Sequence, residues 1–261
     1  MDLETILATY GTIPPLTSYK RPMFVGPHPD DIEFCCGALV SKMRDNNVPV
    51  TFVVATDGAA GGAAGLTPSE VKNIREAESR KAAQFLGVEN IEFCELEDGG
   101  DYSVSDAIRA ITPLVLKYKP DIIFAPDPKL KTECHPDHLK VGEAVRRLVK
   151  LVPYRESLKR HGINVGGIEE FPDNITLAFY ATDDANIIEE VSAKNLEDKI
   201  SSLMLHESQM QDPSTGLLLQ YFRFKAAALG AASSTGLAED YQVLLPLVQH
   251  VYSEGIHYNS K

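Results

Sequence analysis

Apolar positions along this chain fall into short continuous runs, separated by longer segments in which they recur at helical spacing. The runs cover residues 23–26, 50–55, 90–96, 121–125 and 175–181. The run 50–55 is β-branched and aromatic without alternation, the pattern of a strand covered on both faces of a parallel sheet. After the first run, residues 34–46 carry Ala38, Leu39 and Met43 at helical spacing, and Asn46-Asn47 ends the segment. Thr67-Pro68-Ser69-Glu70 opens a second helix, with Thr67 as N-cap, Pro68 in the first position and Glu70 completing a capping box. That helix runs to about Leu86, where Gly87 suits the C-cap. A third begins at Ser103 or Ser105 and is stopped by Pro120; further helices are expected over 138–152, 195–210 and 216–232, with 230–236 loop-like.

Strand alternating with helix predicts an α/β fold, a mostly parallel sheet with helices on both faces. No linker composition divides the chain, so residues 1–261 read as a single domain. Within it, residues 1–21, with Pro14 and Pro15, are expected as a leader on the surface, and the polar, glycine-containing stretch 153–173 as an insertion.

Composition narrows the function more than the fold. A hydrophobic content of 44% supports a substantial core, and 37 acidic against 25 basic residues gives a net charge of −12. That charge argues against nucleic acid or an anionic membrane as partner. No stretch approaches the roughly 18 uninterrupted apolar residues of a membrane span, and the acidic start Met1–Thr5 does not resemble a signal peptide. Cys35, Cys36, Cys94 and Cys134 form no C-x-x-C pair, which fits reduced thiols in a cytoplasmic protein. The Gly/Ala-rich loop 56–65 contains neither G-x-G-x-x-G nor G-x-x-x-x-G-K-[ST], so no recognised phosphate cradle is present there. Residues 58–65 read equally well as a substrate lid and as an ordinary loop.

Two clusters carry candidate chemistry. Gly26-Pro27-His28-Pro29-Asp30-Asp31-Ile32-Glu33 follows the first strand run, and His135-Pro136-Asp137-His138 comes after the fourth. Ligands of open α/β sheets bind at the carboxyl ends of strands, so the two clusters can converge on one metal. Imidazole nitrogen and carboxylate oxygen suit zinc, and would also accept iron or cobalt. His28, Asp31 and His138 as ligands leave a fourth tetrahedral position for water, whose pKa a metal lowers from about 16 towards 7. Asp30, beside a ligand, is placed to take a proton, and a protonated His135 to donate to an oxyanion. Such a site suits hydrolysis of an amide or ester. Lone histidines at 161, 250 and 257 read as ordinary hydrogen-bonded residues, and Cys35-Cys36 as packing.

In their order along the chain, five motifs resemble the LmbE-like, or PIG-L, family of zinc-dependent N-acetylglucosaminyl deacetylases. They are His28-Pro29-Asp30-Asp31-Ile32-Glu33, Thr56-Asp57-Gly58, Arg75-x-x-Glu78 leading to Leu86-Gly87, His135-Pro136-Asp137-His138, and His206-x-Ser208-Gln209. The resemblance implies a Rossmann-like fold and removal of the N-acetyl group from an amino sugar. It implies Zn2+ held by His28, Asp31 and His138, with Asp30 as general base. His135 would stabilise the oxyanion or protonate the leaving amine, Arg75 would hold substrate hydroxyls, and Asp137 would orient His135 or His138 from behind. The implied partners are a small amino-sugar substrate and further copies of the chain in a trimer or hexamer. Two features depart from the family: Ala59 stands after Gly58, where relatives often have an acid, and Cys134 has no role beyond packing. The rival within the same chemistry is an amidase acting on another amide of a glucosamine conjugate, of the thiol-sugar adduct type. A metal-binding protein without hydrolysis would need neither Asp30 nor His135, and a nucleotide-binding domain lacks its glycine fingerprint here.

Overall fold

The computed structural model describes residues 12–62 and 64–250. The first eleven residues of the expected leader, and His257, lie outside them. Strands β1 (Pro22–Gly26), β2 (Thr51–Thr56), β3 (Asn90–Leu96), β4 (Ile122–Pro126), β5 (Thr176–Tyr180), β6 (Ile187–Glu190) and β7 (Ala238–Leu244) form one sheet in the order β3-β2-β1-β4-β5-β7-β6. The first five strands run parallel, while β7 is antiparallel to both β5 and β6. The helices are α1 (Asp31–Asp45), α2 (Pro68–Phe85), α3 (Val104–Tyr118), α4 (Pro136–Leu151), α5 (Arg155–Arg160), α6 (Ala193–Leu203) and α7 (Thr215–Gly230).

The sheet separates two cores because alternate residues of each central strand point to opposite faces. Met23 and Val25 of β1 join Ile111 and Val115 of α3 and Val141, Val145 and Leu148 of α4 on one side. Phe24, Phe52, Phe124, Tyr180 and Tyr241 pack with Leu39 and Met43 of α1 on the other. The Phe24 and Phe124 rings stack at 4.2 Å, and the buried Tyr180 hydroxyl donates to the Val25 carbonyl at 2.8 Å. Strand order reverses between β1 and β4. The chain leaves β1 towards β2 and β3, then crosses back to place β4 on the other side. The carboxyl ends of β1 and β4 therefore border a crevice of the kind in which α/β proteins bind ligands.

Several expectations shift. Helix α1 starts at Asp31 rather than 34, so Asp31 and Glu33 occupy its first turn, where the helix dipole favours carboxylates. Helix α6 stops at Leu203, not 210. His206 N donates to Leu203 O, and Gln209 N to His206 O, in a succession of turns. Strands β6 and β7 were masked by their acids. Glu239 is buried in β7, but Leu39 N, Lys199 Nζ and the Tyr241 hydroxyl all donate to its carboxylate at 2.6–2.8 Å. The stretch 153–173, expected as an insertion, packs Leu158, Ile163 and Val165 into the α3/α4 core. Leu16, within the expected leader, is fully buried in the core that also holds Phe24 and Leu39. Among the described residues no helix is long and apolar enough to cross a membrane.

The capping box at α2 forms as its sequence predicts. Glu70 N donates to Thr67 Oγ1, and Thr67 N donates to Glu70 Oε2 at 2.8 Å. Thr67→Ala should therefore cost about 1 kcal/mol of stability, read as a lower urea midpoint with an unchanged slope.

Candidate metal centre

The first cluster is shaped by the turn leaving β1. Gly26 admits no side chain, since a Cβ there would lie 2.9 Å from Ile32 Cγ1, so β1 passes directly into a tight turn with Asp30 N donating to His28 O at 3.0 Å. His28 N donates to Asp31 Oδ2 at 2.7 Å, which folds the aspartate back under the histidine. The second cluster opens α4. His135 is the N-cap, Asp137 N donates to His135 Nδ1 at 3.3 Å, and Pro136 sits in the first position, where a missing N–H costs nothing. His138 then projects from the first turn.

Asp31 Oδ2 lies between the two histidines, 3.1 Å from His28 Nδ1 and 3.4 Å from His138 Nε2. Each imidazole has a carboxylate behind its other nitrogen. His28 Nε2 is 3.2 Å from Asp98 Oδ1 and 3.3 Å from Asp137 Oδ2, and His138 Nδ1 is 3.1 Å from Glu133 Oε2. Asp137 is wholly buried and also accepts Gly99 N at 2.8 Å. His135 stands at the rim, its side chain 46% exposed and its ring 4.6 Å from that of His28. Asp30, His28, Asp98, Arg75 and His135 face a cavity of about 310 Å³ walled on one side by Ala60 and Gly61. A larger groove of about 850 Å³, bordered by Arg146, Arg147 and Lys150 of α4, contains none of these residues.

Electrostatics couples the cluster. Burial pushes the Asp30 carboxyl up to about 6, and Asp31 adds to the rise; Arg75, His206 and His28 oppose it. Burial also acts to raise Asp31, but hydrogen bonds from His138 and His28 outweigh it and hold the group well below the usual carboxylate range. For His28, burial is outweighed by Asp31 and Asp98, which lift the imidazole to about 10. His138 is raised too, with Asp31 and Glu133 outweighing burial.

His28, Asp31 and His138 offer donor atoms that all lie within 4.8 Å of one another. This set suits a divalent ion chemically, with two imidazoles, one carboxylate, and a carboxylate fixing the far nitrogen of each imidazole. Donor atoms of His28, Asp98, His135 and Asp137 likewise lie within 4.8 Å of one another. In that second set, however, Asp137 is fully buried and already accepts the Gly99 N–H, and Asp98 accepts the Ala60 N–H.

The structure thus brings His28, Asp31 and His138 together, with Asp30 and His135 at the same cavity. Asp137 stands behind His28 and lies 3.9 Å from His135 Nδ1. The second partner of His138 is Glu133. Arg75 is buried, with Nη1 donating to Gly58 O at 2.9 Å and Nη2 3.2 Å from Asp30 Oδ2. Asp98 and Glu133 were not singled out from the sequence. Asp98 lies just past the carboxyl end of β3, so the strand-end rule applied to the third run points to it.

Residues 23–149 match the family model PIG-L, described as GlcNAc-PI de-N-acetylase. Over 242 residues the chain is 27% identical to diacetylchitobiose deacetylase from Thermococcus kodakarensis, covering 91% of this chain and 88% of that protein. It is 26% identical over 208 residues to the probable N-acetyl-alpha-D-glucosaminyl L-malate deacetylase 2 of Bacillus anthracis, covering 77% and 87%. The N,N'-diacetylchitobiose deacetylase from Pyrococcus horikoshii, solved with its inhibitor MPG, superimposes with a TM-score of 0.85 at 25% identity over 97% of each chain.

Proposed function

The chain carries a PIG-L (LmbE-like) family domain, and on that premise we propose that it is a zinc-dependent hydrolase removing the N-acetyl group from an N-acetylglucosamine-containing small molecule. The observation that carries the reading is Asp31 Oδ2 lying within 3.1–3.4 Å of a nitrogen on both His28 and His138, with Asp30 facing the adjoining cavity. His28, Asp31 and His138 would hold the ion. When bound, zinc supplies Lewis-acid polarisation of an amide carbonyl and makes water more acidic.

The other residues divide the remaining work. Asp30 accepts the proton of the attacking water, and Arg75 Nη2, 3.2 Å from its carboxylate, holds it towards the cavity. His135, exposed at the rim, donates to the carbonyl oxygen as negative charge develops there, or to the departing amine. Asp137 and Asp98 fix the orientation of His28, and Glu133 that of His138, as carboxylates do for ligand imidazoles. Arg75 contributes through Asp30 and Gly58, and any grip on substrate hydroxyls uses what its guanidinium has left.

The Thermococcus and Bacillus relatives support the amino sugar, because the compound in each name contains an N-acetylglucosamine unit while the attached group differs. The deciding experiment measures acetate and free amine from N-acetylglucosamine, its malate and inositol conjugates, diacetylchitobiose and a thiol-sugar adduct of glucosamine, with zinc-loaded and chelated protein. Equal acetate and amine from one compound, lost with the metal, supports the reading. Amine without acetate from a thiol-sugar adduct would transfer it to the conjugate amidase, and no product from metal-loaded protein would overturn it.

Metal binding should also displace protons. In the ion-free chain, Asp31 and Asp98 hold His28 near 10, so this imidazole carries a proton at neutral pH that a ligand nitrogen must lose, and Asp31 and Glu133 shift His138 in the same direction. Zinc binding at pH 7 should release about one to two protons, and apparent affinity should rise with pH. Calorimetry in two buffers of different ionisation enthalpy reads the number; zero release would contradict this ligand set.

A further inference from the structure

We propose that Glu78, Ser208 and Gln209 form a buckle that holds residues 58–62 as a fixed wall of the cavity, with Gln209 a positioning residue for substrate. The inference rests on the deacetylase reading for its effect on KM, and on the structure alone for its effect on the wall.

A strip of Gly58, Ala59, Ala60, Gly61 and Gly62 has little intrinsic stiffness, because glycine backbone is the most permissive in the chain. Yet this strip is anchored at successive residues. Arg75 Nη1 donates to Gly58 O at 2.9 Å, Ala59 N donates to Asp57 Oδ1 at 3.0 Å, and Ala60 N to Asp98 Oδ2 at 3.0 Å. Gly61 O accepts from Gln209 Nε2 at 2.9 Å. The first three anchors come from side chains in or next to the site. The fourth comes from 148 residues downstream, and no catalytic step uses it.

Gln209 is held in turn. Ser208, beside it, donates through N and Oγ to the two oxygens of the buried Glu78 at 2.8 and 2.7 Å, and Gln209 Nε2 also donates to Ser208 Oγ at 3.0 Å. Glu78 lies three residues after Arg75 on α2, so the two share one face of that helix. Both ends of the strip therefore hang from a single rigid element, Gly58 directly and Gly61 through the 206–209 turn. The strip also lies directly on α2. A Cβ on Gly61 would come within 2.6 Å of Arg75 Nη1, and one on Gly62 would collide with Val71. Packing this close, with an anchor at each of residues 58–61, belongs to a wall and not to a lid. Ala60 and Gly61 line the cavity that holds Asp30 and His28, so the wall fixes where a bound sugar rests against the reacting groups.

The test uses the full-length, zinc-loaded protein with Gln209→Ala, Glu78→Ala and Glu78→Gln. Hydrogen exchange across 58–62, metal content, and kcat and KM on the best substrate are measured for each. Gln209→Ala should speed exchange in the strip about tenfold and raise KM about fivefold, the scale of one neutral hydrogen bond. Its kcat should stay within about twofold and its zinc should remain. Glu78→Ala should do the same or more. Glu78→Gln should restore the parent values, because the amide oxygen still accepts Ser208 N–H and the serine hydroxyl can reverse to accept from the amide nitrogen. Unchanged exchange in Gln209→Ala would overturn the buckle. Faster exchange with unchanged KM would overturn the positioning role, as would a loss confined to kcat. If even the parent protein turns over no amino sugar, the deacetylase reading fails while exchange still decides the buckle.

Discussion

Asp30→Asn should lower turnover by at least about a hundredfold while the zinc stays bound. The substitution keeps the shape of the side chain and removes only its ability to take a proton at neutral pH. General-base catalysis is typically worth 10²–10⁴-fold, and among the described residues no other carboxylate at the cavity is free to replace it. Asp31 lies between two imidazoles, and Asp98 is engaged by His28 and Ala60 N. As the proposed base, the same carboxylate should also set the acid limit of the parent enzyme. Burial and Asp31 lift Asp30 to about 6 in the ion-free chain, and a base works only when ionised, so kcat/KM should fall as pH drops through that value. A bound cation favours the ionised form, so the midpoint in the loaded enzyme should lie at or below about 6. Metal content by atomic absorption, with kcat and kcat/KM across about pH 4.5–8, checks both parts. An asparagine variant that holds zinc and turns over within tenfold of the parent would remove Asp30 from the role of base.

The legible parts of this site were those written as short strings at strand ends. His28, Asp30 and Asp31 lie within six residues of the last residue of β1, and 135–138 open the helix after β4. Their convergence therefore followed from topology before any side chain was placed. Isolated acids left a fainter trace. Asp98 is marked only by its place just past the end of β3, and Glu133 gains its meaning only from lying 3.1 Å from His138 Nδ1. Arg75 read as an arginine that holds substrate hydroxyls; it lines the cavity, and from the buried face of α2 it also reaches Asp30 and Gly58 O, partners that its place on a helix did not announce. Helix α6 was overextended because Met204, Leu205 and Met210 continue an apolar spacing. The backbone nevertheless turns there, with Ser208 docked on Glu78 and His206 Nε2 3.5 Å from Glu33 Oε1. At β6 and β7 the misleading signal was charge, since acids that look solvated in sequence are paired in the fold, as with Glu189 to Lys42 and Glu239 to Lys199.

His138→Ala should release the metal and abolish activity while the fold remains. Losing a carboxylate behind a ligand typically costs 10–100-fold in metal affinity, so losing the ligand itself should exceed about a hundredfold. The protein should then purify nearly free of zinc. Helix α4 should survive, because its buried face is built from Val141, Ala144, Val145 and Leu148, and the urea midpoint in chelator should match that of chelated parent. The substitution also chooses between the two donor sets. If the ion lay among His28, Asp98, His135 and Asp137, His138→Ala would keep it and His135→Ala would lose it. With the ion on His28, Asp31 and His138 the outcomes reverse: His135→Ala keeps the metal and loses turnover. Zinc bound one-to-one in purified His138→Ala would move the centre to the Asp98 side of His28, and with it the position from which Asp30 could act on water.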